Sequence, residues 1–148
     1  MLKSKRLQPV IKIAKGREED AARALSDYRR VVDQHEAKLI ELRHYHDEYR
    51  LRLDEAGRNG MNIAQLNDYR NFISRLAIAI QQQEALMVEC QQQLNEKNRA
   101  WLLSRGRHQA LDKVAGRYEQ QEHQESEKRA QAESDERSQH MGRDKQPR

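Results

Sequence analysis

Apolar side chains recur along this chain at alternating steps of four and three residues, with one break. From Leu7 the steps reach Ile11, Ala14, Glu18, Ala21, Leu25, Tyr28, Val32, His35, Leu39, Leu42, His46, Tyr49, Leu53 and Ala56, and twelve of these fifteen positions are apolar. A period of 3.5 residues held for about seven heptads is the signature of a left-handed coiled coil rather than of a globular helix. A second run passes through Leu66, Tyr69, Ile73, Leu76, Ile80, Gln83, Met87, Cys90, Leu94, Lys97, Trp101, Ser104, His108, Leu111, Ala115 and Tyr118, with twelve of sixteen apolar. Beyond Tyr118 the steps meet Glu122, Glu125 and Arg129, and the apolar seam ends.

The break between the runs carries turn chemistry. Gly57 suits the left-handed conformation that closes a helix, and the Asn59-Gly60 pair tolerates positive φ. Asn62 can cap the next helix, with Gln65 three residues on placed to reach back. A connection this short sets two helices antiparallel. The spacing therefore predicts an all-α fold, a long two-helix antiparallel coiled-coil hairpin over 1–118 with its turn at about 57–61 and helices over about 8–56 and from 62 to at least 118. Residues 119–148 are expected as a frayed helical extension passing into a disordered tail, finished by Gly142 and Pro147. With the turn centred near residue 59, facing residues have numbers adding to about 118. His35 then shares a layer with Gln83, and Tyr45 falls beside Phe72 on one flank.

Composition agrees with a stripe rather than a core. At 36% hydrophobic and 35% charged the chain is too polar for an ordinary globular interior, whereas a hairpin buries one stripe per helix. One cysteine, Cys90, leaves no internal disulfide and fits a reducing cytoplasm. No apolar run approaches the roughly 18 residues of a membrane span, and the first residues lack a signal peptide's apolar segment. The expectation is a soluble, cytoplasmic protein.

Catalysis is not expected, because a two-helix hairpin offers no concave pocket to exclude water. The chain has no Gly-rich phosphate loop, and no nucleophile stands beside a base. His44 and His46 lie two apart and point to different faces, so neither a metal site nor any cofactor is expected. The aromatic residues that the seam does not use are more informative. Tyr45 and Phe72, with their helical neighbours Leu42, Tyr49, Leu76 and Ala79, widen the stripe into a patch, read either as edge packing of an irregular coiled coil or as a partner-binding surface. Antiparallel pairing also gathers Lys12, Lys15, Arg105 and Lys113 at the end remote from the turn. No aromatic residues interleave these charges, so nucleic acid is not the expected partner.

The stretches Glu19–Leu25, Tyr45–Arg50 and Tyr69–Ile73, together with Arg29, Arg30, Asn59, Gly60, Leu76, Ala79, Ile80 and Trp101, resemble the FliJ family over most of residues 7–118. FliJ proteins are the small soluble components of the flagellar type III export apparatus. The resemblance implies a two-helix coiled coil similar to the central stalk of rotary ATPases, non-enzymatic and monomeric, with peripheral association at the inner membrane through protein partners. It further implies that the end formed by both termini, with Lys12, Lys15, Arg105 and Lys113, enters the export ATPase ring (FliI). The export-gate protein (FlhA) would dock on Lys38, Leu42, Tyr45, Tyr49, Phe72, Leu76, Ala79 and Gln83, and export chaperones would be handled as well. Lys38 and Gln83 stand where the family can carry glutamine and histidine. The other readings are the equivalent stalk of a virulence type III secretion system and a structural, oligomerising coiled coil unrelated to export.

Overall fold

The structure, a computed structural model, describes residues 1–144. It contains two helices, α1 (Lys3–Asn59) and α2 (Ile63–Asp144), which pack against each other as a helical hairpin, with no strand among the described residues. Every position of both predicted seams is buried or half-buried. The 3.5-residue period thus identifies the packed face, and Lys, Arg, Glu and Gln occupy the rest as good helix formers.

The turn lies slightly later than expected. Gly57 remains inside α1, and Gly60 is the residue that adopts positive φ, at 84°. Three residues, 60–62, connect the helices. Asn62 caps α2: its side-chain oxygen accepts from the Gln65 amide at 2.8 Å, and its carbonyl accepts from Leu66 N at 3.1 Å.

The helix ends also move outward. α1 starts at Lys3, not near residue 8, so Pro9 sits inside it and its missing N–H leaves one rung of the ladder empty. α2 continues as regular helix through Asp144, across the region expected to fray, and its side chains from His123 to Arg143 are exposed. A helix that is polar all round relies on contacts along its own surface, such as His123–Glu127 at 3.0 Å and Gln131–Asp135 at 3.1 Å. Pro147 and the expected disordered end lie outside the described residues.

The chain divides into two compact units. The turn unit is Asp20–Leu102; the terminal unit combines Met1–Glu19 with the chain from Leu103 onward. Leu25, Val32, Leu39, Leu76 and Cys90 form the buried core of the turn unit, and Ala115 is the buried hydrophobic residue of the terminal unit. Two polar residues are buried as well, Gln83 in the turn unit and Ser4 in the terminal unit.

Candidate functional site: an aromatic flank and a cationic terminal unit

In the turn unit, α1 and α2 present an aromatic cluster near the loop. The Tyr49 and Phe72 rings lie 4.5 Å apart between centroids, tilted by 54°, and Tyr69 approaches Tyr49 at 6.2 Å. Such tilted contacts suit the ring quadrupoles. The Arg52 guanidinium stands 5.0 Å from the centre of the Tyr49 ring while its Nη2 donates to Glu48 at 2.8 Å. A groove of about 410 Å³ opens beside these rings, lined also by Ala56, Met61, Gln65 and Asp68.

The expectation that Phe72 meets Tyr45 needs correcting, since the ring that packs on Phe72 is that of Tyr49 and Tyr45 lies beside His44 at 6.3 Å. Tyr49 lies one helical turn beyond Tyr45 on α1, so the contact stays on the same helix and moves by one turn toward the loop. Tyr45 and Phe72 nevertheless remain accessible, at 42% and 39% exposure.

The remaining residues of the predicted patch differ in depth. Lys38 is exposed; Leu42, Tyr49 and Ala79 are half-buried; Leu76 is buried in the seam. Gln83 is only 5% exposed and is held inside: its amide donates to the His35 carbonyl at 3.0 Å and lies 3.2 Å from His35 Nδ1. The shared polar layer forms as the spacing predicts, and Gln83 therefore belongs to the floor beneath the patch, not its rim. Tyr69, Arg52 and Asp68 were not singled out for the patch. Tyr69 was legible only as a seam residue, and the two charged side chains have no apolar signal at all. Elsewhere in this unit, burial and a hydrogen bond with Cys90 push the Tyr28 hydroxyl above its ordinary pKa.

The terminal unit places Lys12, Lys15, Arg105 and Lys113 on exposed positions. Its seam is closed by polar pairs. Glu18 meets His108 Nδ1, and His108 Nε2 faces Asp112 at 3.3 Å. Four seam steps further, past Ala14, Ile11 and Leu7, Glu122 receives the Ser4 amide at 3.1 Å and the Ser4 hydroxyl at 2.6 Å. A carboxylate thereby takes an orphan donor of the first turn of α1, the contact that lets this helix begin before Pro9. The two Ser4 bonds, with the Lys3 amide and the charge of Lys5, hold the Glu122 carboxyl below its ordinary value against a smaller opposing effect of burial. Lys3 also stands 5.5 Å from the Tyr118 ring centre. The seam reading stopped at Leu7 and Tyr118. One further step in each direction arrives at Ser4 and Glu122, which hydrophobicity alone does not mark.

Two long helices packed as a hairpin, with an aromatic flank, place the chain in the class of coiled-coil hairpins, and no helix among the described residues is long and apolar enough to cross a membrane. The family model described as the flagellar FliJ protein matches residues 3–147, and the chain belongs to that family. It is thereby a component of type III export. Among solved structures, the chain is similar to that of a putative YscO homolog, CT670, from Chlamydia trachomatis, with a TM-score of 0.62 at 18% identity over 95% of this chain and 97% of the other. No curated protein matches the sequence.

Proposed function

We propose that this protein is a non-enzymatic, stalk-like coupling component of the flagellar type III export apparatus. Its cationic terminal unit engages the export ATPase ring (FliI) through Lys12, Lys15, Arg105 and Lys113. The aromatic flank of the turn unit docks on the export-gate protein (FlhA), which holds the otherwise unanchored monomer peripherally at the membrane. Export chaperones are handled by the same molecule. The observation that carries this reading is that Tyr45 and Phe72 stay accessible around a packed Tyr49–Phe72 pair, on a flank that the seam does not need. Accessible aromatic anchors over a rigid floor are what an interface hot spot requires. Leu42, Leu76 and the Gln83–His35 bond supply that floor.

The test replaces Tyr45 and Phe72 together by Ala. Each anchor at the centre of an interface contributes about 2 kcal/mol or more, so the double variant loses most of its affinity for the gate protein. Because both rings are partly exposed, the fold loses less than the roughly 3–5 kcal/mol of a buried aromatic truncation. Circular dichroism and a pull-down on one preparation decide the matter. Retained helicity with lost binding supports docking; unfolding assigns the rings to the core; normal binding by folded protein moves the gate contact elsewhere.

A second reading, the equivalent stalk of a virulence secretion system, is favoured by the likeness to the putative YscO homolog. A flagellar or a virulence gene neighbourhood separates the two.

A further inference from the structure

The terminal unit carries a second surface, made of residues other than the four cationic side chains assigned to the ATPase ring. Val10, Ile13 and Arg17 follow one another at helical spacing on α1, and Leu103, Arg107 and Leu111 do the same on α2. Val10 is 46% exposed, and Ile13 and Leu103 are each 58% exposed. A groove of about 150 Å³ runs between Val10, Ile13 and Arg17 on one side and Arg107 and Leu111 on the other, with Ala14 at its base. Ser104 lines it as well, so the surface combines aliphatic side chains with one hydroxyl and two guanidinium groups.

Among the described residues neither Arg17 nor Arg107 takes part in an ion pair. Arg107 has Leu103, Ser104, Ala110 and Leu111 as its helical neighbours, none of them acidic. On the Arg17 side, Glu18 next in sequence is turned to His108, and Asp20, the acidic helical neighbour at i+3, is engaged by Arg23 at 2.6 Å. Two unpaired guanidiniums beside accessible Val, Ile and Leu select an occupant that is both apolar and acidic.

We infer that this groove docks an amphipathic helix of a protein partner, with apolar anchors on its inner face and Glu or Asp beside them. An extended peptide has no exposed backbone edge to pair with here, since helices satisfy their own backbone groups, whereas a third helix laid on two is an ordinary packing mode. Nucleic acid would meet aliphatic side chains with no ring to stack on. Arginine suits the task, because its planar fork binds carboxylates in two-pronged fashion.

The probe is a synthetic amphipathic helix of about 18 residues with Leu at i, i+3, i+4 and i+7 and Glu at the flanking positions. It is titrated by fluorescence anisotropy into the full chain. Two controls are the same peptide with Lys for Glu and a Glu peptide with its Leu positions scrambled. The acidic amphipathic peptide binds at least about tenfold tighter than either control. Arg17→Glu with Arg107→Glu reverses the preference toward the Lys peptide, and Ile13→Asp weakens both charge forms. Circular dichroism checks that these surface variants stay helical. Equal binding of the scrambled acidic peptide, or equal loss in a Lys12→Glu, Lys15→Glu variant, means general charge attraction and overturns the assignment. Concentration-dependent self-association abolished by Ile13→Asp overturns it too, in favour of a second copy of the chain. Because the gate contact uses none of these residues, its failure and that of the groove are read separately.

Discussion

The two units use one seam period and close it with different chemistry. In the turn unit, Leu25, Val32, Leu39, Leu76 and Cys90 exclude water and a single polar layer, Gln83 with His35, is satisfied inside them. Among the described residues of the terminal unit Ala115 is the one buried hydrophobic residue; half-buried Leu7, Ile11, Ala14, Leu111 and Tyr118 line the layers around it, and polar pairs, Glu18 with His108 and Ser4 with Glu122, close the seam at either end. Burial of hydrocarbon depends little on salt and pH, whereas part-exposed ion pairs and hydrogen bonds depend on both. One hairpin therefore combines a robust half with a half whose closure answers to solution conditions and, in the assembly, to partners.

The most forceful way to break this contrast is to truncate equivalent leucines. Leu39→Ala, in the buried core of the turn unit, is expected to cost about 2–4 kcal/mol, while Leu111→Ala, half-buried in the terminal unit, falls below that range. Urea unfolding of both variants checks it. Equal losses would mean that the terminal unit is as tightly packed as the other.

The polar layer sharpens the comparison from within the robust half. Replacing His35 and Gln83 together by Leu removes two desolvated polar groups and is expected to stabilise the fold by about 1–2 kcal/mol, read as a higher Tm. An unchanged or lower Tm would show that the Gln83 amide and the His35 carbonyl contribute more than they cost to bury.

These outcomes bear on what the residue pattern reveals. Every predicted seam position is buried or half-buried because the period depends only on side-chain type and spacing. Polar contacts, by contrast, leave no trace in hydropathy. Ser4 and Glu122 continue the seam by one step at each end, yet as residue types they read as its termination. Phe72 packs on Tyr49 and not on Tyr45 one turn away, a choice that numbering alone does not make, and Gly57 and Gly60 are equally permissive until the fold selects one. The aromatic patch is legible as a set, whereas the depth of Gln83, 5% exposed beneath it, is not encoded in spacing.

The smallest expected effect is the dependence of the terminal unit on pH. The Glu122 carboxyl titrates below its ordinary value in the folded chain, so the unfolded chain binds the proton more readily and stability rises with pH. Its contribution is fully present above about 4.5, the ordinary value, and is lost as pH falls through the lowered one. Amide exchange in the first turn of α1 should therefore quicken, relative to its intrinsic rate, as the solution is acidified through that window. In Glu122→Gln the acid-dependent change disappears. A first turn whose protection ignores both acid and the substitution would remove the contrast between the units.

The clasp at Ser4 also has a consequence for synthesis on the ribosome. Its partner lies 118 residues further along, against 48 for the Gln83 bond to His35. Met1–Glu19 emerges first from the exit tunnel, yet the segment it pairs with starts only at Leu103. The turn unit has all of its chain available by residue 102 and can zip outward from the three-residue loop while elongation continues. The N-terminal segment is thus made long before the segment it pairs with, and finds its place after the turn unit can close. Until then Val10 and Ile13 stand in water beside unpaired cations, so for the length of translation this segment is the part of the nascent chain most open to capture by another molecule.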